Sequence, residues 1–141
     1  MISTFKQEDS PPLLPQISMD GCAFLSAIYL VVVDYNAEEV NEIYASCVHA
    51  GLIGADCTIL DWVRFLEGLS VSLKFEEETT DQTRQCKPNE RQLICWWLSN
   101  VKETHWTVGD GKGSVAWDPE QRPDIMRAFA SFMKAVFVTV G

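Results

Sequence analysis

His105-Trp106-Thr107-Val108-Gly109-Asp110-Gly111-Lys112-Gly113-Ser114-Val115-Ala116-Trp117-Asp118 reads as a β-hairpin and decides the second half of the chain. Alternating apolar and polar residues flank Asp110-Gly111-Lys112-Gly113, and the glycines supply the positive φ that a tight loop demands. With Gly111-Lys112 as the loop, Asp110 pairs with Gly113. Five positions further out on each strand, His105 then faces Asp118. Directly opposed residues have Cβ atoms about 4.5–5.5 Å apart, within reach of an imidazole–carboxylate hydrogen bond. The alternation sends Trp106, Val108, Val115 and Trp117 to an apolar face. His105, Thr107, Gly109, Ser114, Ala116 and Asp118 share a small, polar face suited to floor a cleft. The bland alternative is a surface His–Asp pair worth under about 1 kcal/mol.

Outward from the hairpin, Val71, Leu73 and Phe75 alternate as a strand, Leu93–Leu98 is a β-prone run, and Val136–Val140 reads as a last strand. Glu76–Arg91 is polar and reads as a long loop or an irregular hairpin, its Glu76-Glu77-Glu78 run a solvated face. A short helix starts at Pro123. The first half has a different period. Ala23–Val33 is apolar on nearly every side and reads as a buried helix with Cys22 at its start, although periodicity alone also admits a buried strand. Asn36 and Glu39 form a capping box ahead of the stripe Val40, Ile43, Tyr44, Cys47, Val48, which Gly51 stops. Thr58 and Asp61 open a third helix, with Ile59, Trp62, Val63 and Leu66 as its stripe and Gly68 at its end. Helices first and antiparallel strands afterwards is an α+β pattern.

The 141 residues make one domain, 1–141, with an extended arm over 1–15 that contains Pro11, Pro12 and Pro15. Apolar residues are 47% of the chain, enough for a core and too many for disorder. Eleven Lys and Arg against 20 Asp and Glu give a net charge of −9. That argues against nucleic acid and against an anionic membrane surface, and is compatible with a cationic partner. The apolar run Cys22–Val33 is too short to span a bilayer, and the N-terminus carries no basic segment leading into an apolar one, so the expected location is cytoplasmic. Cys22, Cys47, Cys57, Cys86 and Cys95 are odd in number and irregularly spaced, which fits reduced thiols better than a disulfide framework or a zinc site.

A nucleophilic thiol needs a base beside it and a group that orients the base. Cys22 follows Gly21 at a helix start, where the helix dipole favours negative charge. Burial as an inert thiol is the competing fate. Cys57, near another helix start, is its rival. Cys47 and Cys95 read as buried, Cys86 as exposed and His49 as solvated. Trp96, Trp97, Trp106 and Trp117 read as core and cleft wall.

Gln16-Ile17-Ser18-Met19-Asp20-Gly21-Cys22, Ser26 in the helix, His105-Trp106-Thr107-Val108 and Trp117-Asp118-Pro119 together resemble papain-like cysteine peptidases, closest to the peptidases that process bacteriocin leaders and their stand-alone bacterial and phage relatives. The glutamine six residues before the cysteine and the order Gln, Cys, His, Asp carry the resemblance over residues 16–119. Ala23 stands where many members have glycine, and the Cys-Gly-Ser-Cys-Trp signature of papain is absent. The resemblance implies a papain-like α+β fold and acyl transfer on a peptide or protein substrate without a cofactor. Cys22 would be the nucleophile, His105 the base and Asp118 its orienter, with Gln16 and the Cys22 N–H as oxyanion donors. Other expectations compatible with the same residues are a papain-like module that binds a peptide or protein without turnover, and acyl transfer to an amine. Nothing in the sequence selects an oligomeric state.

Overall fold

The computed structural model describes residues 14, 17, 21–31, 36–54, 57–70 and 72–140. Gln16, most of the 1–15 arm, Val32, Val33 and Val71 lie outside them. The architecture is α+β. Among the described residues four helices, α1 (Cys22–Tyr29), α2 (Ala37–His49), α3 (Trp62–Leu69) and α4 (Pro123–Phe129), accompany five strands, β1 (Leu73–Thr79), β2 (Glu90–Leu98), β3 (Glu103–Gly109), β4 (Val115–Trp117) and β5 (Ala130–Val140). The strands form one antiparallel sheet in the order β1-β5-β2-β3-β4.

The helices form where their sequences specify ends. The side chain of Asn36 accepts from the Glu39 N–H while Glu39 reaches back to the Asn36 N–H, the expected capping box. Gly51, at φ 75°, follows the last turn of α2 as expected. The third helix starts later than the sequence suggested. Asp61 caps α3 by accepting from the Arg64 N–H, and Ile59 lies outside the helix, bridged to Ile53. The Leu60 N–H donates to the Leu52 carbonyl, which commits that stretch to extended structure before any helix can begin. Val63 is consequently exposed, and Phe65 joins Leu66 in the core.

Glu76–Arg91 is not one long loop. β1 continues through Glu76, Glu77 and Glu78 to Thr79, and β2 begins at Glu90. Charged residues are tolerated in β1 because it is an edge strand whose side chains reach water. There Glu78 pairs with Lys134 at 2.9 Å, and Glu77 with Arg84 at 2.7 Å.

Both faces of the sheet are covered. Helices α1–α3 press Phe24, Leu25, Ile28, Val40, Phe65 and Leu66 onto Leu93, Val108, Val136 and Val138. On the other face Ile94, Trp96, Ala135 and Phe137 form a second cluster with Met126 and Phe132. Burial on both sides explains why Leu93–Leu98 is a continuous apolar run rather than an alternating one. Two bonds tie the first half to the second: the buried Ser26 hydroxyl donates to the Trp106 carbonyl at 3.2 Å, and Tyr29 stacks on Trp117 at 4.5 Å.

Candidate functional site

α1 begins at Cys22, and the chain reaches it through a tight approach. The Gly21 N–H donates to the Ile17 carbonyl at 2.9 Å, and a Cβ on Gly21 would lie 2.5 Å from that oxygen. Glycine is required here because the preceding turn of the same chain packs against it. Cys22 is half-buried. It is the first residue of α1. Ser26, one turn further on, anchors this end of the helix to β3.

His105 is 4% exposed and Asp118 is 9% exposed. His105 Nε2 lies 2.7 Å from Asp118 Oδ1. Two more donors meet the carboxylate: the Glu120 N–H reaches Oδ1 at 2.9 Å and the Arg122 N–H reaches Oδ2 at 3.5 Å. Burial pushes the Asp118 pKa up. The bond with His105, its charge and these two N–H groups prevail, so the carboxyl sits below its ordinary value and stays ionised. Burial also works against a charged imidazole at His105. The hydrogen bond with Asp118, the Cys22 side chain in hydrogen-bonding contact with the ring, and their charges outweigh it and raise the pKa to about 10. An ionised Asp118 makes Nε2–H the donor on that side, which turns Nδ1 toward the thiol.

The hairpin does not use the expected register. Its loop is Gly111-Lys112-Gly113, closed by the Asp110 N–H on the Ser114 carbonyl, with Asp110 Oδ1 accepting from Lys112 and Ser114. Gly109 pairs with Val115 and Val108 with Trp117, so Ala116 bulges out of β4. His105 is therefore not directly opposite Asp118. Continued past Trp117, this pairing sets Asp118 against Thr107, and the His105–Asp118 contact is the diagonal one, within reach of an aromatic ring. The two irregularities together shift the register by two, which preserves the faces from Trp117 onward; Val115, between them, is off by one, lies opposite Gly109 and is exposed rather than on the apolar face.

Cys22 and His105 line one cleft of about 760 Å³ together with Trp62, Trp97, Trp106 and Met133. The polar hairpin face behaves differently from expectation. Thr107 is fully buried and accepts from Trp96 Nε1 at 2.8 Å. Its outer part, Ser114, Ala116 and Asp118, lines a second cleft against α4, while His105 lines the first.

The remaining sulfurs sort by burial. All five thiols are free. Cys47 and Cys95 are buried as expected, and desolvation raises both, Cys95 to about 11. Cys57 is 2% exposed at φ 64° and shares a 3.5 Å contact with the Tyr44 hydroxyl, well before the α3 cap. It lines the cleft wall away from any helix start. Cys86 is half-buried rather than exposed, held against the loop by its N–H on the Gly111 carbonyl at 2.8 Å, and burial raises its pKa. His49 is exposed in the last turn of α2. Trp62 was not foreseen as a cleft residue; it meets Trp106 at 5.2 Å between ring centroids, and only its place on the α3 stripe hinted at burial. Gln92 was likewise missed. It is 1% exposed, and its Oε1 accepts from the N–H groups of Gly111 and Gly113, so it holds the hairpin loop from below.

Among the described residues no group of three or more His, Cys, Asp or Glu side chains is placed to hold a metal ion, and no helix is long and apolar enough to cross a membrane. Residues 1–137 match the family described as "Protein of unknown function, DUF261", and the chain belongs to that family. No curated protein and no solved structure matches it.

Proposed function

We propose that the protein is a papain-like thiol hydrolase, a peptidase or amidase acting on a peptide or protein in the 760 Å³ cleft. The observation that carries this reading is the buried 2.7 Å His105–Asp118 bond with Cys22 against the same imidazole. In the resting pair His105 already holds the Cys22 proton on Nδ1, and the thiolate adds to the substrate carbonyl. The imidazolium then gives its proton to the leaving amine as the thioester forms. The imidazole, neutral after that transfer, deprotonates a water that adds to the thioester; the carboxylic acid leaves, and the thiolate–imidazolium pair is restored. Asp118 holds the ring in the orientation and tautomer both steps need. The Cys22 N–H, with Gln16 as the resemblance implies, would receive the oxyanion; removing one such donor typically costs about 2.7–4 kcal/mol.

The cleft rim also favours a second reading, peptide binding without turnover. Trp97 and Met133 are 38% and 41% exposed there, large apolar surface that a bound chain would cover. Alkylation of the native protein by iodoacetamide, read by peptide mass spectrometry at all five cysteines, separates the two. The hydrolase reading expects Cys22 to label at pH 6 at least about tenfold faster than Cys86, and to lose that advantage in His105→Ala. Equal rates at the two thiols, with stoichiometric peptide binding, would overturn it in favour of the binding module.

A further inference from the structure

The second cleft, about 660 Å³, lies between β4 and α4. That volume is within the usual range for small-molecule sites. Trp96, Val115, Ala116, Trp117 and Met126 give it an apolar wall. Arg127, in the last turn of α4, stands in the same lining. The chain has 20 acidic residues for 11 basic ones, yet Arg127 has no hydrogen bond or ion pair among the described residues. Asp124 lies one turn earlier on α4 and does not line the cleft. Asp118 does line it, but its charge is met by His105 and by the N–H groups of Glu120 and Arg122. The exposed Arg127 guanidinium, a fork suited to a carboxylate, stands beside an apolar surface.

We propose that this cleft binds a small amphipathic carboxylate, its apolar body against Trp96 and Met126 and its carboxylate on Arg127. The site is independent of Cys22 and of any turnover in the other cleft.

Calorimetric titration with 4-phenylbutyrate, 4-phenylbutanol and 4-phenylbutylamine tests it, because the three share one apolar body. The net charge of −9 favours the amine everywhere else on the surface, so a preference for the acid is a stringent result. The acid should bind about three- to fivefold more tightly than the alcohol, as one partly exposed ion pair allows. Arg127→Gln should bring acid and alcohol to parity. Ala116→Trp, a change at an exposed strand position, should abolish binding of all three. Cys22→Ala should bind the acid as wild type does, which keeps this result separate from the fate of the hydrolase reading. Equal binding of the three compounds, an acid preference that survives Arg127→Gln, binding unaffected by Ala116→Trp, or no binding up to about 10 mM would each overturn the proposal.

Discussion

Two cation–carboxylate contacts of nearly equal length sit at opposite ends of the sheet, and they are built for different ends. Arg84 Nη1 meets Glu90 at 2.6 Å, and His105 Nε2 meets Asp118 at 2.7 Å. Arg84 spends four of its five N–H donors: Nη1 and Nη2 on Glu90, Nε on Glu77, and a second Nη1 bond to the Gln85 carbonyl, with its guanidinium carbon 3.7 Å from the Phe137 ring centroid. Glu90 also caps the Lys87 N–H, and the hydrogen bonds from Arg84 bring its pKa down to about 2 against the pull of desolvation. Little is left over for a ligand. The His105 pair is saturated on the Asp118 side alone, and the other ring nitrogen faces a thiol in an open cleft. A closed network fastens the 80–89 segment across the sheet; an open one leaves an imidazole proton where a leaving group can meet it.

The strongest way to break this contrast is at Asp118. Asp118→Asn should slow Cys22-dependent hydrolysis about 10²–10⁴-fold, because an amide can present its N–H to the ring and favour the wrong tautomer. A loss below threefold in kcat/KM would mean that the pair is only structural. Arg84→Ala is the mirror experiment. It strands Glu90, whose side chain is 4% exposed, and should lower stability by about 2–3 kcal/mol in urea unfolding while the Cys22 alkylation rate stays as in wild type.

A pH series sharpens the comparison further. His105 is raised from about 6.5 to about 10, so its share of stability is complete below about pH 6.5 and is lost as the pH rises toward 10. Asp118 is lowered, so its share is present above about pH 4 and is lost as the pH falls through its folded value. The stability difference between wild type and Asp118→Asn, from urea titrations, should therefore plateau between about pH 4 and 6.5 and shrink on either side. A difference that grows toward pH 10 would contradict the assignment. The smallest effect belongs to Ser26→Ala. Loss of its bond to the Trp106 carbonyl should cost about 1 kcal/mol and slow Cys22 alkylation a few-fold through looser placement of α1.

The sequence carried much of this, and it failed for identifiable reasons. Caps were legible because they are local: Asn36 with Glu39 and Gly51 needed no tertiary knowledge. The start of α3 was misplaced because the Ile53–Ile59 bridge, a longer-range contact, captured residues that a helical stripe also suits. The strand at Glu76–Glu78 was hidden because an edge position tolerates acidic residues that propensity assigns to loops. The His105–Asp118 contact was reached through a register that is wrong by two. A loop longer by one residue and a bulge at Ala116 each shift the pairing by one, and side-chain direction depends only on whether the total is odd or even. Gln92 gave no signal, since a lone glutamine in an apolar run carries no sign of the loop it supports. Gln16 lies outside the described residues, so the oxyanion donor expected there rests on the resemblance alone.

The Ser26–Trp106 bond spans 80 positions of sequence and stands at the joint between α1 and the sheet. Closing a loop of that length costs chain entropy that neither the helix nor the sheet recovers until the two dock. The thiol on α1 and the imidazole on β3 therefore have no partnership in a nascent or partly unfolded chain. Any reactivity that depends on their pairing is a property of the docked fold, and its disappearance under denaturant would report the separation of helix from sheet rather than the melting of either one.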